Sequence, residues 1–349
     1  MNNLERLGFY YLAGRVFVPK PRFLIYNATR RCDLSCRHCG IWQAEKREEL
    51  DAARLEPIIA RGFFSKVDTV WLTGGEPFLR KDLAELAKVF RARLPGMRML
   101  GIASNGYATE RILGRLEELL AELDPGRHGL FLQLSVDGIG EIEDSIRGKA
   151  GVFAGVQATI AGVNLLKKKY PERKIELGFN CVIQKQNAGQ LGAIKEFAAR
   201  SGASLTFNLA EITDQYFCNS ARAGELALGA EDQKIVIAFL RELSAESAPA
   251  FASHYRGMAT ALEGQQRGRR CLTLYSTLVI DADGSWMPCP LCSDWMRVNF
   301  QDRAPEQFWK SRDARELRKR AERELCPSCA LSCSLGDSLS IREFLAGGF

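Results

Sequence analysis

The sequence predicts an α/β fold: a partial, TIM-like (β/α)6 barrel followed by a small cysteine-rich domain. Between residues 23 and 209, short apolar runs rich in β-branched residues alternate with amphipathic stretches, the pattern of parallel strands joined by crossover helices. Past residue 211 that alternation stops, and six of the 11 cysteines gather between Cys271 and Cys333. A length of 349 residues suits one barrel-like core with a smaller appended unit.

Predicted strands fall at 23–27, 69–72, 99–103, 130–136, 175–182 and 204–209. Stretches 83–91, 110–123, 152–168 and 190–199 place apolar residues three and four positions apart, as core-facing helices do. The informative residues follow the strands, where loops at the carboxyl edge of a parallel sheet build active sites. Beyond residue 211, 235–243 and 254–262 read as helices without intervening strands. The expected division is therefore an N-terminal segment 1–20, a barrel 21–212, a helical bridge 213–265 and a cysteine-rich domain 266–349. In that last unit Leu278-Val279-Ile280 and Ser285-Trp286-Met287 flank Asp281-Ala282-Asp283-Gly284, which reads as two strands around a tight turn.

Composition excludes several classes. With 46% apolar and 26% charged residues the chain has the balance of a folded protein rather than a disordered one. No apolar run approaches the roughly 20 residues of a membrane span. The start, Met1 to Arg6, lacks the basic-then-apolar order of a secretory signal, so a cytoplasmic protein without a transmembrane segment is expected. Leu7, Phe9, Tyr10, Tyr11 and Leu12 read as a short helix packed on its own domain in preference to a membrane-surface helix. The net charge of +6 is scattered among acids without an aromatic-interleaved basic stripe, which argues against a nucleic-acid partner. Arg267, Arg269, Arg270 and the mixed helix 303–323 are the densest basic stretches and leave room for an anionic substrate. Cysteines grouped at two- and three-residue gaps, with no secretory signal, point to metal binding rather than disulfides.

The first group, Cys32-x3-Cys36-x2-Cys39, follows the first strand. Three thiolates on a 4Fe-4S cube leave one iron open for a substrate or cofactor. A zinc knuckle completed by His38 is the alternative, strained by the position of His38 between two of the cysteines. The spacing favours iron-sulfur.

Cys32-Asp33-Leu34-Ser35-Cys36-Arg37-His38-Cys39 resembles the signature of the radical S-adenosylmethionine (SAM) superfamily, with His38 at a position usually aromatic. Thr73-Gly74-Gly75-Glu76-Pro77, after the second strand, matches that family's Gly-Gly-Glu-Pro motif. Its glycines permit close backbone approach, and the resemblance implies that Gly74, Gly75, Glu76 and Pro77 receive the SAM amino group. Further matches stand at the expected strand ends: Ser104-Asn105-Gly106, Ser135-Val136-Asp137-Gly138, Ile146-Arg147-Gly148 and Asn180. By resemblance Ser104, Asn105, Ser135, Asp137 and Asn180 are SAM contacts, Ser135 and Asn180 on the ribose or sulfonium side. Arg147 is implied as the partner of the SAM carboxylate. Asn, Asp and Gly after a strand are also ordinary turn residues.

Gly284-x4-Cys289 followed by Cys326-x2-Cys329 resembles the cysteine-rich extension called a twitch or, in longer form, a SPASM domain. The resemblance implies an auxiliary 4Fe-4S cluster on Cys271, Cys289, Cys326 and Cys329, with Cys333 as the substitute and Cys292 left open. Fewer cysteines than the full SPASM form argue against two fully cysteine-ligated auxiliary clusters. A structural zinc ribbon is the alternative. Cys181 reads as a core residue and Cys218 as a loop residue that could face substrate. His128 and His254 read as solvated or capping residues without a role, and Trp42 as a shield of the cluster loop or as packing.

The resemblance implies reductive cleavage of SAM to a 5'-deoxyadenosyl radical that abstracts a substrate hydrogen, the protein orienting substrate and excluding water. No side-chain acid or base is named. An auxiliary cluster able to accept an electron favours dehydrogenation or oxidative bond formation. A small metabolite, such as a sugar, aminocyclitol or lipid precursor, is preferred to a peptide, because segment 1–20 is too short for the leader-binding module often fused to peptide maturases. A reducing donor such as flavodoxin or ferredoxin is expected. A non-catalytic zinc-binding scaffold is the reading from a different class.

Overall fold

The computed structural model describes residues 16–45, 47–266 and 271–332. The six predicted strands form as β1 (Phe23–Thr29), β2 (Thr69–Gly74), β3 (Met99–Ser104), β4 (Gly129–Ser135), β5 (Lys174–Ile183) and β6 (Ser204–Leu209). Leu24, Tyr26 and Ala28 in β1, Leu130, Leu132 and Leu134 in β4, and Leu177, Phe179, Cys181 and Ile183 in β5 are buried at two-residue spacing, the period of a pleated strand. Crossover helices α1 (Ala52–Ile59), α2 (Leu83–Arg93), α3 (Thr109–Glu122), α4 (Glu141–Arg147), α5 (Val152–Lys169) and α6 (Leu191–Arg200) connect them. In α3 the buried residues are Ile112, Leu116, Leu119 and Leu120, one helical stripe facing the sheet.

The sheet has a seventh strand. Its order is β6-β5-β4-β3-β2-β1-β7, every pair parallel, and β7 is Thr277–Ile280 from the cysteine-rich unit. The expected two-stranded hairpin is thereby corrected. The tight turn is present, with Asp281 N donating to Ser285 O at 2.7 Å, but the returning arm makes only an isolated antiparallel bridge, Ile280 to Trp286. All four β7 residues are buried, as suits a parallel strand covered on both faces, and the open edge of β1 supplies its backbone partners.

The same unit also grips the opposite flank. Ser332 N donates to Asn208 Oδ1 on β6 at 2.7 Å, and Ala330 N to Glu211 Oε1 at 2.8 Å. Helix α9 (Arg312–Glu324) is fixed by the buried Arg318, whose Nε reaches Leu274 O and Nη1 reaches Trp309 O, both at 2.8 Å. Burial lowers the Arg318 pKa to about 10, and its guanidinium carbon lies 4.2 Å from the Trp309 ring centroid.

Between barrel and cysteine-rich unit, α7 (Ala230–Glu246) and α8 (Pro249–Leu262) pack against β6. His254 is fully buried and its Nε2 donates to Phe207 O at 3.0 Å, so it is a packing residue rather than a solvated one. His128 Nδ1 accepts from Asp124 N at 3.0 Å within its turn. No single described helix is long and apolar enough to cross a membrane. Residues 7–12, Arg267, Arg269, Arg270 and Cys333 lie outside the described residues.

Candidate active site

Cys32, Cys36 and Cys39 sit on the loop that leaves β1 at the carboxyl edge of the sheet, and three neighbouring segments clamp that loop. From the β2 side, Gly75 N donates to Thr29 O at 2.7 Å and Glu76 N to Arg31 O at 2.8 Å. From the end of α4, the loop donates Ser35 N to Arg147 O at 3.2 Å and Arg37 N to Ile146 O at 2.9 Å. From the segment after β6, Asn219 Nδ2 reaches His38 O at 2.7 Å, while Gly40 N donates to Phe217 O at 2.6 Å.

The two glycines of the Gly-Gly-Glu-Pro loop are explained by this clamp. Gly74 has φ +109°, a region that favours glycine. A Cβ on Gly75 would collide with Arg31 O, and would lie 2.7 Å from the Arg31 carbonyl carbon. The loop at Gly75 approaches the backbone just before Cys32 closely.

Glu76 is buried and its carboxylate accepts from Phe78 N at 3.1 Å, Ser104 Oγ at 3.1 Å and Asn105 N at 2.8 Å. Burial pushes its carboxyl up to about 7, against these donors. Pro77 opens the short 3-10 turn that Glu76 caps. Asn105 Nδ2 donates to Asp33 Oδ1 at 2.8 Å, so Ser104 and Asn105 serve here to join the β2 and β3 loops to the cysteine loop.

Below the loop lies a buried ionic cluster. Arg147 contacts Asp137 Oδ2 through Nη2 and Glu143 Oε1 through Nε, each at 2.8 Å, and its Nη1 donates to Cys36 Sγ at 3.6 Å. All three charged residues are buried. The guanidinium expected at a SAM carboxylate contacts two protein carboxylates and a cysteine sulfur. Asp137 Oδ1 accepts from Val182 N at 2.7 Å, which fixes it between β4 and β5. His38 Nδ1 faces Asp137 Oδ2 at 3.6 Å and Gln184 Nε2 at 3.3 Å, and burial lowers its pKa to about 4, so the ring is neutral at pH 7. Ser135 and Asn180 stand opposite each other in register at the ends of β4 and β5. Asn208 Nδ2 donates to Asn180 Oδ1 at 2.6 Å, linking Asn180 through Asn208 to Ser332.

Burial pushes the Cys32 and Cys39 thiols up to about 12, opposed by the Leu34 and Ile41 N–H groups, and raises Cys36 against the pull of Arg147. Thiols this buried ionise readily only with a cation to bind, and a loop with three thiols, an adjacent guanidinium and N–H donors fits an iron-sulfur cluster. Trp42 is partly exposed, and its Nε1 donates to Cys39 O at 3.0 Å.

In the cysteine-rich unit, Cys271, Cys289, Cys326 and Cys329 line one pocket with Leu274, Leu291, Leu325 and Leu331. Four thiols converging from three separate segments in apolar walls fit a second cluster. Leu331 N donates to Cys329 Sγ at 3.5 Å. Cys292 is buried behind Cys289, does not line the pocket, and by its hydrogen bond raises the Cys289 thiol, as burial also does. Among the described residues no three His, Cys, Asp or Glu side chains are gathered as for a single ion. Cys181 is fully buried in β5, and Cys218 is an exposed loop residue at φ 47°.

Sequence reasoning missed Asp33, Glu143, Gln184 and Asn208. Glu143 had a signal, standing four residues before Arg147 on one helix face. Asp33 and Gln184 depend on loops meeting across the sheet edge, and Asn208 on the neighbouring strand β5 and on the C-terminal unit reaching β6.

The family model described as Radical SAM superfamily matches residues 26–198, and the model for the SPASM iron-sulfur cluster-binding domain matches residues 271–334. Among curated proteins, "Pre-heme d1 synthase" of Dinoroseobacter shibae is 35% identical over 175 residues, which is 50% of this chain and 39% of that protein. "PqqA peptide cyclase" of Xanthomonas campestris pv. campestris is 31% identical over 188 residues, 53% of this chain and 46% of that protein. The matches thus span less than half the length of either relative. Among solved structures, Streptococcus suis SuiB bound to S-adenosylmethionine superposes with TM-score 0.62 at 15% identity, covering 90% of this chain and 71% of that one. The structure of anSMEcpe with bound AdoMet gives TM-score 0.61 at 20% identity, covering 92% and 86%. At these identities the likeness shows a shared fold.

Proposed function

Because the chain belongs to the radical SAM superfamily and carries a SPASM domain, we propose that it abstracts hydrogen from a small-molecule substrate and oxidises it by dehydrogenation or bond formation. The supporting observation is the pairing of two cysteine centres: three thiols on a clamped loop beside the Gly-Gly-Glu-Pro turn, and four in a separate apolar pocket. Cys32, Cys36 and Cys39 would hold the SAM-binding 4Fe-4S cluster, and Cys271, Cys289, Cys326 and Cys329 the auxiliary one. Held by Cys32, Cys36 and Cys39, such a cluster would supply the electron for cleavage of SAM. The three-sided clamp fixes the cysteine loop, Arg147 presents positive charge to Cys36, and the buried ionic cluster keeps water from beneath the site.

A small molecule is favoured because relatives at 35% and 34% identity are named for pre-heme d1 and Fe-coproporphyrin III. A peptide is the second reading, carried by relatives at 31% identity named for mycofactocin maturation and PqqA cyclisation. A donor such as flavodoxin or ferredoxin, in the reducing cytoplasm, completes the proposal.

The test is anaerobic incubation of the iron-loaded protein with dithionite, SAM and either a deuterated porphyrin or a deuterated peptide. Deuterium entering 5'-deoxyadenosine identifies the substrate class. Formation of 5'-deoxyadenosine by a Cys36→Ala variant would overturn the assignment of the first cluster.

A further inference from the structure

The four-cysteine pocket contains one polar side chain other than its thiols. Thr273 lines the pocket two residues after Cys271, is buried at 4% exposure, and its Oγ1 has no hydrogen-bond partner among the described residues. In the same short helix, Thr273–Ser276, Ser276 Oγ by contrast donates to Leu272 O at 3.0 Å. A buried donor left without an acceptor is costly enough to call for an explanation. The walls beside Thr273 are otherwise leucine and alanine, so the acceptors the pocket offers are sulfurs.

We infer that the Thr273 hydroxyl donates a hydrogen bond to sulfur of the auxiliary cluster and thereby sets that cluster's reduction potential. The inference rests on the auxiliary-cluster reading proposed above. A hydrogen bond to a cluster sulfur stabilises the reduced, more negative state over the oxidised one and raises the potential. Leu331 N already donates to Cys329 Sγ and the Leu291 N–H to Cys289, so Thr273 adds a side-chain donor to backbone ones. A higher potential makes the cluster a better acceptor for an electron leaving the substrate.

The experiment uses the full chain with Cys32, Cys36 and Cys39 replaced by Ala, so that one cluster is titrated, and follows its reduction by electron paramagnetic resonance. A chain of this kind that binds no iron overturns the ligand assignment, and the inference with it. With iron bound, Thr273→Val, which keeps the shape and removes the hydroxyl, shifts the midpoint potential to a more negative value. Thr273→Ser keeps the original potential. An unchanged potential in Thr273→Val, or an equal shift in Thr273→Ser, overturns the role of the hydroxyl. Should Thr273→Val fail to load iron, loading of Thr273→Ser at the original potential supports the contact of the hydroxyl with the cluster, and failure of both overturns the inference, since keeping the hydroxyl then makes no difference.

Discussion

Replacing Gly75 by Ala tests what the paired glycines are for. The added methyl would stand 2.7 Å from the Arg31 carbonyl carbon and 3.1 Å from that of Arg30. To restore a carbon–carbon separation of about 3.5 Å the backbone before Cys32 must retreat by roughly 0.8 Å. Both neighbours are main-chain atoms, so no side-chain rotation relieves the clash. Overpacking costs about 1–3 kcal/mol, and loosening the Gly75-to-Thr29 and Glu76-to-Arg31 hydrogen bonds adds about 1 kcal/mol. The total, about 2–4 kcal/mol, lowers the melting temperature of a chain this long by roughly 3–6 °C. Because the displaced atoms adjoin Cys32, iron loading of the first site falls together with SAM affinity. Iron per chain after anaerobic reconstitution and equilibrium binding of SAM read the two effects separately. Full iron and an unchanged melting temperature with weakened SAM binding would refute the argument, since the glycine would then serve the ligand rather than the clamp.

Arg147→Met leaves Asp137 and Glu143 buried without their cation and destabilises the fold by about 3–5 kcal/mol at neutral pH. Burial already raises the Glu143 carboxyl to about 7 and the substitution raises it further; a carboxyl raised on folding favours the native state at low pH and loses that contribution as pH rises through its folded value. The deficit relative to wild type is therefore largest near pH 8 and shrinks toward pH 5, and denaturant melts showing the same deficit at both would refute the ionic account. Replacing Cys289 and Cys329 together by Ala removes about half of the roughly eight irons expected for two 4Fe-4S clusters and leaves 5'-deoxyadenosine formation without oxidised product; full product formation would exclude a required auxiliary role.

The strands were legible because each is a local apolar run, and β6 in particular occupies its expected residues 204–209. Helix α1 was missed because Pro57 interrupts its pattern. Its start rests on an Asp51 side chain that accepts from Arg54 N at 2.8 Å. The pairing of β7 with β1 carries no local signal, since a short apolar run before a turn reads the same in a hairpin and in a barrel. In the site, the cysteines were legible from spacing, and the four singled out in the C-terminal unit share one pocket. The surroundings of Arg147 were not, because which charge a guanidinium meets depends on how α4 packs beneath a loop more than 100 residues away, a separation of 111 positions between Cys36 and Arg147.

The pairing of β7 with β1 joins segments 254 positions apart, the separation of Asn27 and Asp281 at their ends. At a synthesis rate of about 5–20 residues per second, roughly 13–50 s pass after β1 emerges before β7 exists. Throughout that interval the edge of β1 that β7 will cover presents unpaired backbone groups, a template for pairing with another nascent chain. The strand that carries the cysteine loop thus pairs early with β2 but is the last to gain its second neighbour. Conditions that slow translation of the final third of the chain will lengthen its exposure, and any ribosome that stops before residue 277 releases a barrel with that edge permanently open.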